Sequence, residues 1–300
     1  MTATRCISLE EAATRMSGLI TPEGIAKGLA FQLRPTDVVI SPYGKCGTTW
    51  TQQIVHTLRT RGDMDFDDIS RVVPWIETSS DLGIDLTLEQ RANPRAFKSH
   101  LGWGAVPKGG RYIVPVRDPG DALVSAYKFQ EGWFLEPGAV SLDEFAHKRY
   151  LDRRGRDYWS HLLSWWPQRG NPDVLLLAYE EMKADLPGTV RRIAAFLGIT
   201  LDAELEALTL EHASLDFMTR HKDRFDDFLM RDRSEKVCGL PPGSDSAKVR
   251  AGQVGSRSVL SREVLDALDD AWRETVAAAT GLPSYAALLE ALRDGVPADA

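Results

Sequence analysis

Short apolar and β-branched runs alternate along this chain with segments whose apolar residues recur every three or four positions. The runs at 37–41, 95–98, 111–117 and 173–178 read as strands. Ile113, Val114, Pro115 and Val116 are nearly all apolar, as expected of a strand buried on both faces, although Pro115 removes one ladder donor. Between these runs lie helical patterns. Over 48–60, Trp50, Ile54 and Leu58 fall four apart and predict a buried stripe. The pattern at 119–129 starts with Pro119 at a first helical position and Asp118 as its cap. Segments 180–197 and 261–279 also read as helices, with Gly198 ending the former. The stretch 220–256 mixes basic and acidic residues with Gly and Ser and reads as one long mobile loop. A frayed tail is expected from Asp294. Strands alternating with helices predict an α/β fold, a central, mainly parallel sheet flanked by helices. No internal repeat or second-domain boundary shows, so 1–300 reads as a single domain.

Composition narrows the classes. Three hundred residues, 43% hydrophobic and 26% charged, suit a soluble globular chain that buries a core. A net charge of −7 argues against a general nucleic-acid binder. Cys6, Cys46 and Cys238 are scattered without metal-ligand spacing, which points to reduced thiols and a cytoplasmic location. The first residues carry no apolar core of a secretory signal, and no apolar run reaches the ~20 residues of a membrane span.

The candidate chemistry begins at Ser-Pro-Tyr-Gly-Lys-Cys-Gly-Thr-Thr-Trp, residues 41–50, set between the first strand and the first long helix. Strand, Gly/Lys/Thr-Thr loop and helix form the layout of a phosphate cradle, with loop N–H groups and a helix N-terminus aimed at an anion. It is not a Walker A loop, because Val39 stands where the first glycine is required and Cys46 follows the lysine. Nor is it a Cys-x₅-Arg phosphatase loop, since Gln52 occupies the arginine position.

Three further segments give a resemblance. Tyr43 to Trp50 is similar to the 5′-phosphosulfate loop of the cytosolic-type sulfotransferases. Phe97-Lys98-Ser99-His100 resembles their Lys-Thr-His segment, and 111–119 with Ser125 resembles their 3′-phosphate site. Leu177 to Met182 matches a fourth landmark in the same order. The chain is thereby identified as a member, of bacterial kind, of that family. The fold implied is the P-loop, nucleoside-kinase-like sulfotransferase fold. The donor implied is 3′-phosphoadenosine 5′-phosphosulfate, with adenosine 3′,5′-bisphosphate as product and no metal.

By that resemblance Lys45, Lys98 and His100 are the catalytic set. Lys45 would meet the leaving oxygen, Lys98 would add a second charge, and His100 would take the acceptor proton. The donor contacts implied are Lys45, Cys46, Gly47, Thr48, Thr49, Trp50, Arg117, Ser125, Tyr179, Leu215, Arg250, Ala251 and Gly252. On residue chemistry alone, Trp50 serves either adenine stacking or core packing. Arg117 serves either a phosphate clamp or an ion pair with Asp118 or Asp121. The chain also departs from the family pattern. Gly44 stands for a proline, Cys46 for a serine, Leu215 for an aromatic, and Ala251 for a lysine, which bears on donor affinity. Phe129, Trp103 and Trp75, with Trp133 and Phe134, are expected either to line an apolar acceptor pocket or to pack the core. The partners implied are a small-molecule or glycolipid acceptor, no nucleic acid and no integral membrane segment, with a homodimer left open. The rival readings are an ATP-dependent small-molecule kinase and a non-catalytic nucleotide-binding relative.

Overall fold

The structure is a computed structural model that describes residues 3–152, 157–246, 248–249, 252 and 254–294. Four strands form one parallel sheet: β1 (Val38–Ile40), β2 (Ala96–Lys98), β3 (Arg111–Val116) and β4 (Val174–Ala178), in the order β2-β1-β3-β4. Val39 pairs with Phe97 on one side and Tyr112 on the other, and Ile113 pairs with Leu175. The inner strands are buried on both faces, which explains their unbroken apolar runs. The chain passes from β1 to β2 on one side, then crosses to β3 on the other. That reversal opens a crevice at the carboxyl ends of β1 and β3, where α/β sheets bind their ligands.

Pro115 fits this sheet for a definite reason. The N–H of Arg111 bonds to Asp37 on the β1 side and that of Tyr112 to Asp173 on the β4 side. Odd positions of β3 therefore face β1, which has already ended at Ile40 when Pro115 is reached. The missing donor costs no ladder bond.

Helix Thr48–Thr60 runs behind β1 with Ile54 and Leu58 in the core. Helix Pro119–Trp133 is capped by Asp118, whose carboxylate accepts from Gly120 and Asp121 N–H at 2.9 and 3.0 Å. The expected helix over 180–197 is two helices, Tyr179–Ala184 and Leu186–Leu197. Asp185 caps the second, and Pro187 in its first turn cannot continue the ladder of the first. Gly198 closes it at φ 70°, as read from the sequence. The segment 220–256 is not one long loop. It contains a 3₁₀ turn, Lys222–Phe225, and an α-helix, Phe228–Cys238. The C-terminal pattern becomes helix Arg262–Trp272 with a π turn after it. Residues 295–300 of the expected frayed tail lie outside the described residues. No described helix is long and apolar enough to cross a membrane.

Two N-terminal helices, Leu9–Met16 and Pro22–Leu29, pack beside the sheet. Ser8 caps the first of them by accepting from Glu11 N–H, and the Glu11 carboxylate accepts from Ile7 N–H, one residue before the cap.

Buried histidines make the fold acid-sensitive. Arg59 donates to His56 Nδ1 at 3.4 Å, so the His56 proton sits on Nε2, 3.0 Å from the Asp63 carbonyl. Burial and then the Arg59 charge hold His56 down to about 4, and burial holds His161 to about 4. Unfolding returns each to about 6.5. The unfolded chain then binds more protons below pH 6.5, so stability falls as pH drops from 6.5 toward 4. The thermal midpoint should decline between pH 6.5 and 5, and His56→Gln should flatten that slope. An unchanged slope in the variant would mean that His56 does not contribute.

Candidate active site

The crevice opens into a cleft of about 660 Å³ at the carboxyl ends of the strands. Each strand delivers one part of it. After β1, the loop 41–47 turns through Lys45 at φ 69° and Gly47 at φ 97° into helix Thr48–Thr60. A Cβ on Gly47 would lie 3.0 Å from the Tyr179 ring, so glycine is needed there for space as well as for backbone angle. No side chain caps that helix, and its first N–H groups are left for an anion. Thr48, Thr49 and Trp50 line the cleft, and Trp50 donates its indole N–H to the Ala213 carbonyl at 2.8 Å. The Lys45 ammonium lies 4.2 Å from the centre of the Phe129 ring.

β2 delivers Lys98 and His100. Lys98 is almost wholly buried, with its ammonium 4.1 Å from the Trp75 ring centre. Burial and then Lys248 lower it to about 8. His100 Nδ1 lies 2.8 Å from the Pro42 carbonyl. A carbonyl only accepts, so Nδ1 carries the proton and Nε2 keeps its lone pair. The backbone N–H of His100 donates to Glu77 at 2.8 Å, which fixes the residue at a second point. Burial, then the Lys98 charge, hold His100 down to about 3, so it is neutral throughout the physiological range.

β3 delivers Arg117, and β4 delivers Tyr179. The guanidinium lies 4.4 Å from the Tyr179 ring centre and 3.9 Å from an Asp121 oxygen, and it donates to the Lys45 carbonyl at 3.1 Å. Asp118 is turned away from Arg117 toward Arg257, 2.9 Å off. Ser125, Leu215 and Gly252 complete the wall. All the expected residues that line this cleft come from separate segments, so the sheet is what brings them together.

Three of the expectations resolve toward core packing. Cys46 does not line the cleft. Its side chain is fully buried in the core, its N–H bonds to Tyr43, and burial pushes the thiol up to about 12. Trp103 packs edge-on against Tyr112 and Trp165 with Lys108 over its ring, apart from the cleft. Trp133 and Phe134 stack on each other in the core. Arg250 and Ala251 lie outside the described residues. Trp75 and Phe129 do line the cleft.

A second chamber, about 1180 Å³, adjoins the cleft across Tyr43, Trp75, His100 and Phe145, residues that line both. Leu9, Met16, Ile20, Ile25 and Leu29 from the N-terminal helices and their connections supply its apolar wall. Sequence reasoning missed this wall, although the Ser8–Glu11 helix start was legible. It also missed Asp227 and Lys248, which lie inside the cleft as an ion pair.

A parallel sheet with an uncapped helix N-terminus, four lysines and two arginines around one cleft defines an α/β protein whose cleft suits an anionic ligand. Residues 35–280 match the sulfotransferase domain model, and the chain belongs to the sulfotransferase family. Human sulfotransferase 4A1 is 33% identical over 192 residues, 61% of this chain and 66% of that protein. Human sulfotransferase 2A1 is 32% identical over 201 residues, 64% and 70% of the two chains. The chain thus spans about two thirds of the length of these relatives. Luciferin sulfotransferase of Photinus pyralis is 29% identical over 223 residues, 64% and 59%. These relatives are animal proteins, so a bacterial source is not shown by them. Among solved structures, retinol dehydratase in complex with androsterone and PAP superposes with a TM-score of 0.67 at 21% identity, covering 89% and 94%. Mouse SULT7A1 complexed with PAP gives 0.66 at 20%, covering 92% and 95%. At these identities the superpositions establish a shared fold.

Proposed function

We propose that this enzyme moves a sulfuryl group from 3′-phosphoadenosine 5′-phosphosulfate to the hydroxyl of a small acceptor with an apolar body. The observation that carries this reading is His100: its Nδ1 is committed to Pro42, it lines both the cleft and the apolar chamber, and it is neutral. The acceptor enters from the chamber, and His100 Nε2 takes its proton as the oxygen attacks sulfur. The bond between sulfur and the 5′-phosphate oxygen breaks, and Lys45 and Lys98 stabilise the charge left on that oxygen. Thr48, Thr49 and the N–H groups at the start of their helix hold the 5′ end. Trp50, Tyr179 and Leu215 flank the adenine, while Arg117 and Ser125, with Gly252, receive the 3′-phosphate. The fit to the donor rests on this charge distribution around the cleft.

Adenosine 3′,5′-bisphosphate should raise the thermal midpoint without metal, in proportion to its logarithmic concentration above Kd. Arg117→Ala should weaken that ligand roughly 10- to 100-fold, the cost of one or two charge-assisted bonds. Adenosine 5′-phosphosulfate, which lacks the 3′-phosphate, should bind nearly as before. Calorimetry with both nucleotides measures the difference. Stabilisation by ATP with Mg²⁺ and none by the bisphosphate would reverse the donor assignment in favour of a kinase.

A further inference from the structure

Among the charged groups of the cleft that the transfer chemistry leaves without a task is the ion pair between Asp227 and Lys248. Both side chains are largely enclosed, at 6% and 10% exposure, and both line the cleft with Lys45, Lys98 and His100. The pair is built in rather than incidental. Asp227 is held at φ 50°, a left-handed backbone that costs a residue with a side chain and persists where the surroundings fix it. Its neighbour Asp226 accepts from the N–H of Ser246 at 2.8 Å and from the Ser246 hydroxyl. That second tether lays the strand of chain carrying Lys248 against Asp227.

A carboxylate at the heart of a site for a polyanion weakens ligand binding unless it serves the cations there. Lys98 is the cation that needs it. The charged groups facing Lys98 are Lys248, Asp227, Asp68 and Glu77, with His100 beside it on the same segment. Asp68 is already occupied by the N–H groups of Ser70 and Leu229, and Glu77 by that of His100. Burial raises both of these carboxyls. Burial acts on Asp227 as well, but Lys248, Lys98 and Lys45 together hold it well below the usual carboxylate range.

We propose that Asp227 and Lys248 are opposed positioning residues for sulfuryl transfer: Asp227 supplies the counter-charge for Lys98 at the reacting end of the cleft, and Lys248 offsets it. This rests on Lys98 being the cation at the transferring group. With Asp227 alone the carboxylate would bind Lys98 tightly and withdraw its charge from the substrate. Lys248 shares the carboxylate and leaves the Lys98 ammonium available.

The pair predicts opposite effects from its two halves. Asp227→Asn, which tolerates the left-handed backbone, removes the anion and should move the alkaline limb of kcat/KM for the donor down by about one pH unit. Lys248→Met removes a like charge and should move the same limb up by about one unit. The double variant should return it close to the wild-type position. A residue pair that only supports the fold would lower turnover in both variants without shifting the limb in opposite directions, and that outcome would overturn the assignment. Donor-dependent turnover by the unaltered enzyme tests the sulfotransferase reading separately. An unmoved limb in an active variant therefore counts against this pair alone.

Discussion

His100→Ala will lower kcat by about two to four orders of magnitude while the Kd for adenosine 3′,5′-bisphosphate stays within about twofold. The reason lies in which atoms the imidazole serves. Nδ1 donates to the Pro42 carbonyl at 2.8 Å, and the backbone N–H is tied to Glu77. Only Nε2 remains for chemistry, on the wall shared with the apolar chamber. On the proposed mechanism, removing the ring deletes the proton acceptor and spares residues 45–50, which would hold the phosphate. His100→Gln is the sharper control, because an amide can keep a polar contact in that place yet cannot take up a proton at neutral pH. Turnover of a phenolic acceptor beside calorimetry of the bisphosphate gives both numbers. A parallel fall in kcat and nucleotide affinity would show that the ring holds the cleft together, and the base would have to be another group.

Much of the architecture was readable because the sheet is buried on both faces. Val38, Val39 and Ile40, and Ile113 and Val114, are apolar without alternation because neither face meets water. Helix Thr48–Thr60 was readable from its four-residue spacing, and Asp118 from its place before a first-turn proline. Helix Phe228–Cys238 was not, and its core side shows why. The residues it buries are Met230, Ser234 and Cys238, four apart but with a serine in the middle. Ser234 accepts from the Trp133 indole at 2.9 Å, so a hydrogen bond replaces the apolar contact that a periodic reading looks for. The break at Asp185 was hidden for a different reason. Apolar periodicity continues through Met182, Val190 and Ile193, while Asp185 as cap and Pro187 in the next turn separate the two helices.

The site divides along the same line. Lys45, Lys98, His100, Arg117 and Tyr179 each sit at or just beyond a strand's carboxyl end; the strand–loop–helix pattern pointed to Lys45, and the family resemblance to the others. Cys46 sits in the same loop yet faces the core, which loop membership could not reveal. Asp227 meets Lys248 21 positions further along, beyond helix Phe228–Cys238, and the chamber wall comes from helices near the N-terminus. Those contacts depend on tertiary packing and leave no spacing to read.

Lys45→Ala should damage binding and chemistry together, which separates it from His100. Its ammonium projects from a loop residue at φ 69°, between the cradle and the Phe129 ring 4.2 Å away. On the proposed mechanism, a cation placed there would meet the bridging oxygen in the ground state and gain strength as that oxygen takes up charge in the transition state. Losing the ground-state part should weaken the bisphosphate roughly tenfold, the equivalent of about one charge-assisted bond. Losing the transition-state part should lower kcat by a further ~10²- to 10³-fold, the usual effect of removing one preorganised stabiliser. Lys45→Arg should recover part of the binding and little of the rate, since a planar fork does not place its charge where a compact ammonium does. The acceptor itself supplies the decisive check. A phenol carrying strong electron-withdrawing groups changes the nucleophile and leaves the leaving oxygen untouched, so the Lys45→Ala rate deficit should persist across a phenol series. A deficit that closed as the phenol became more acidic would place Lys45 on the acceptor side of the sulfur.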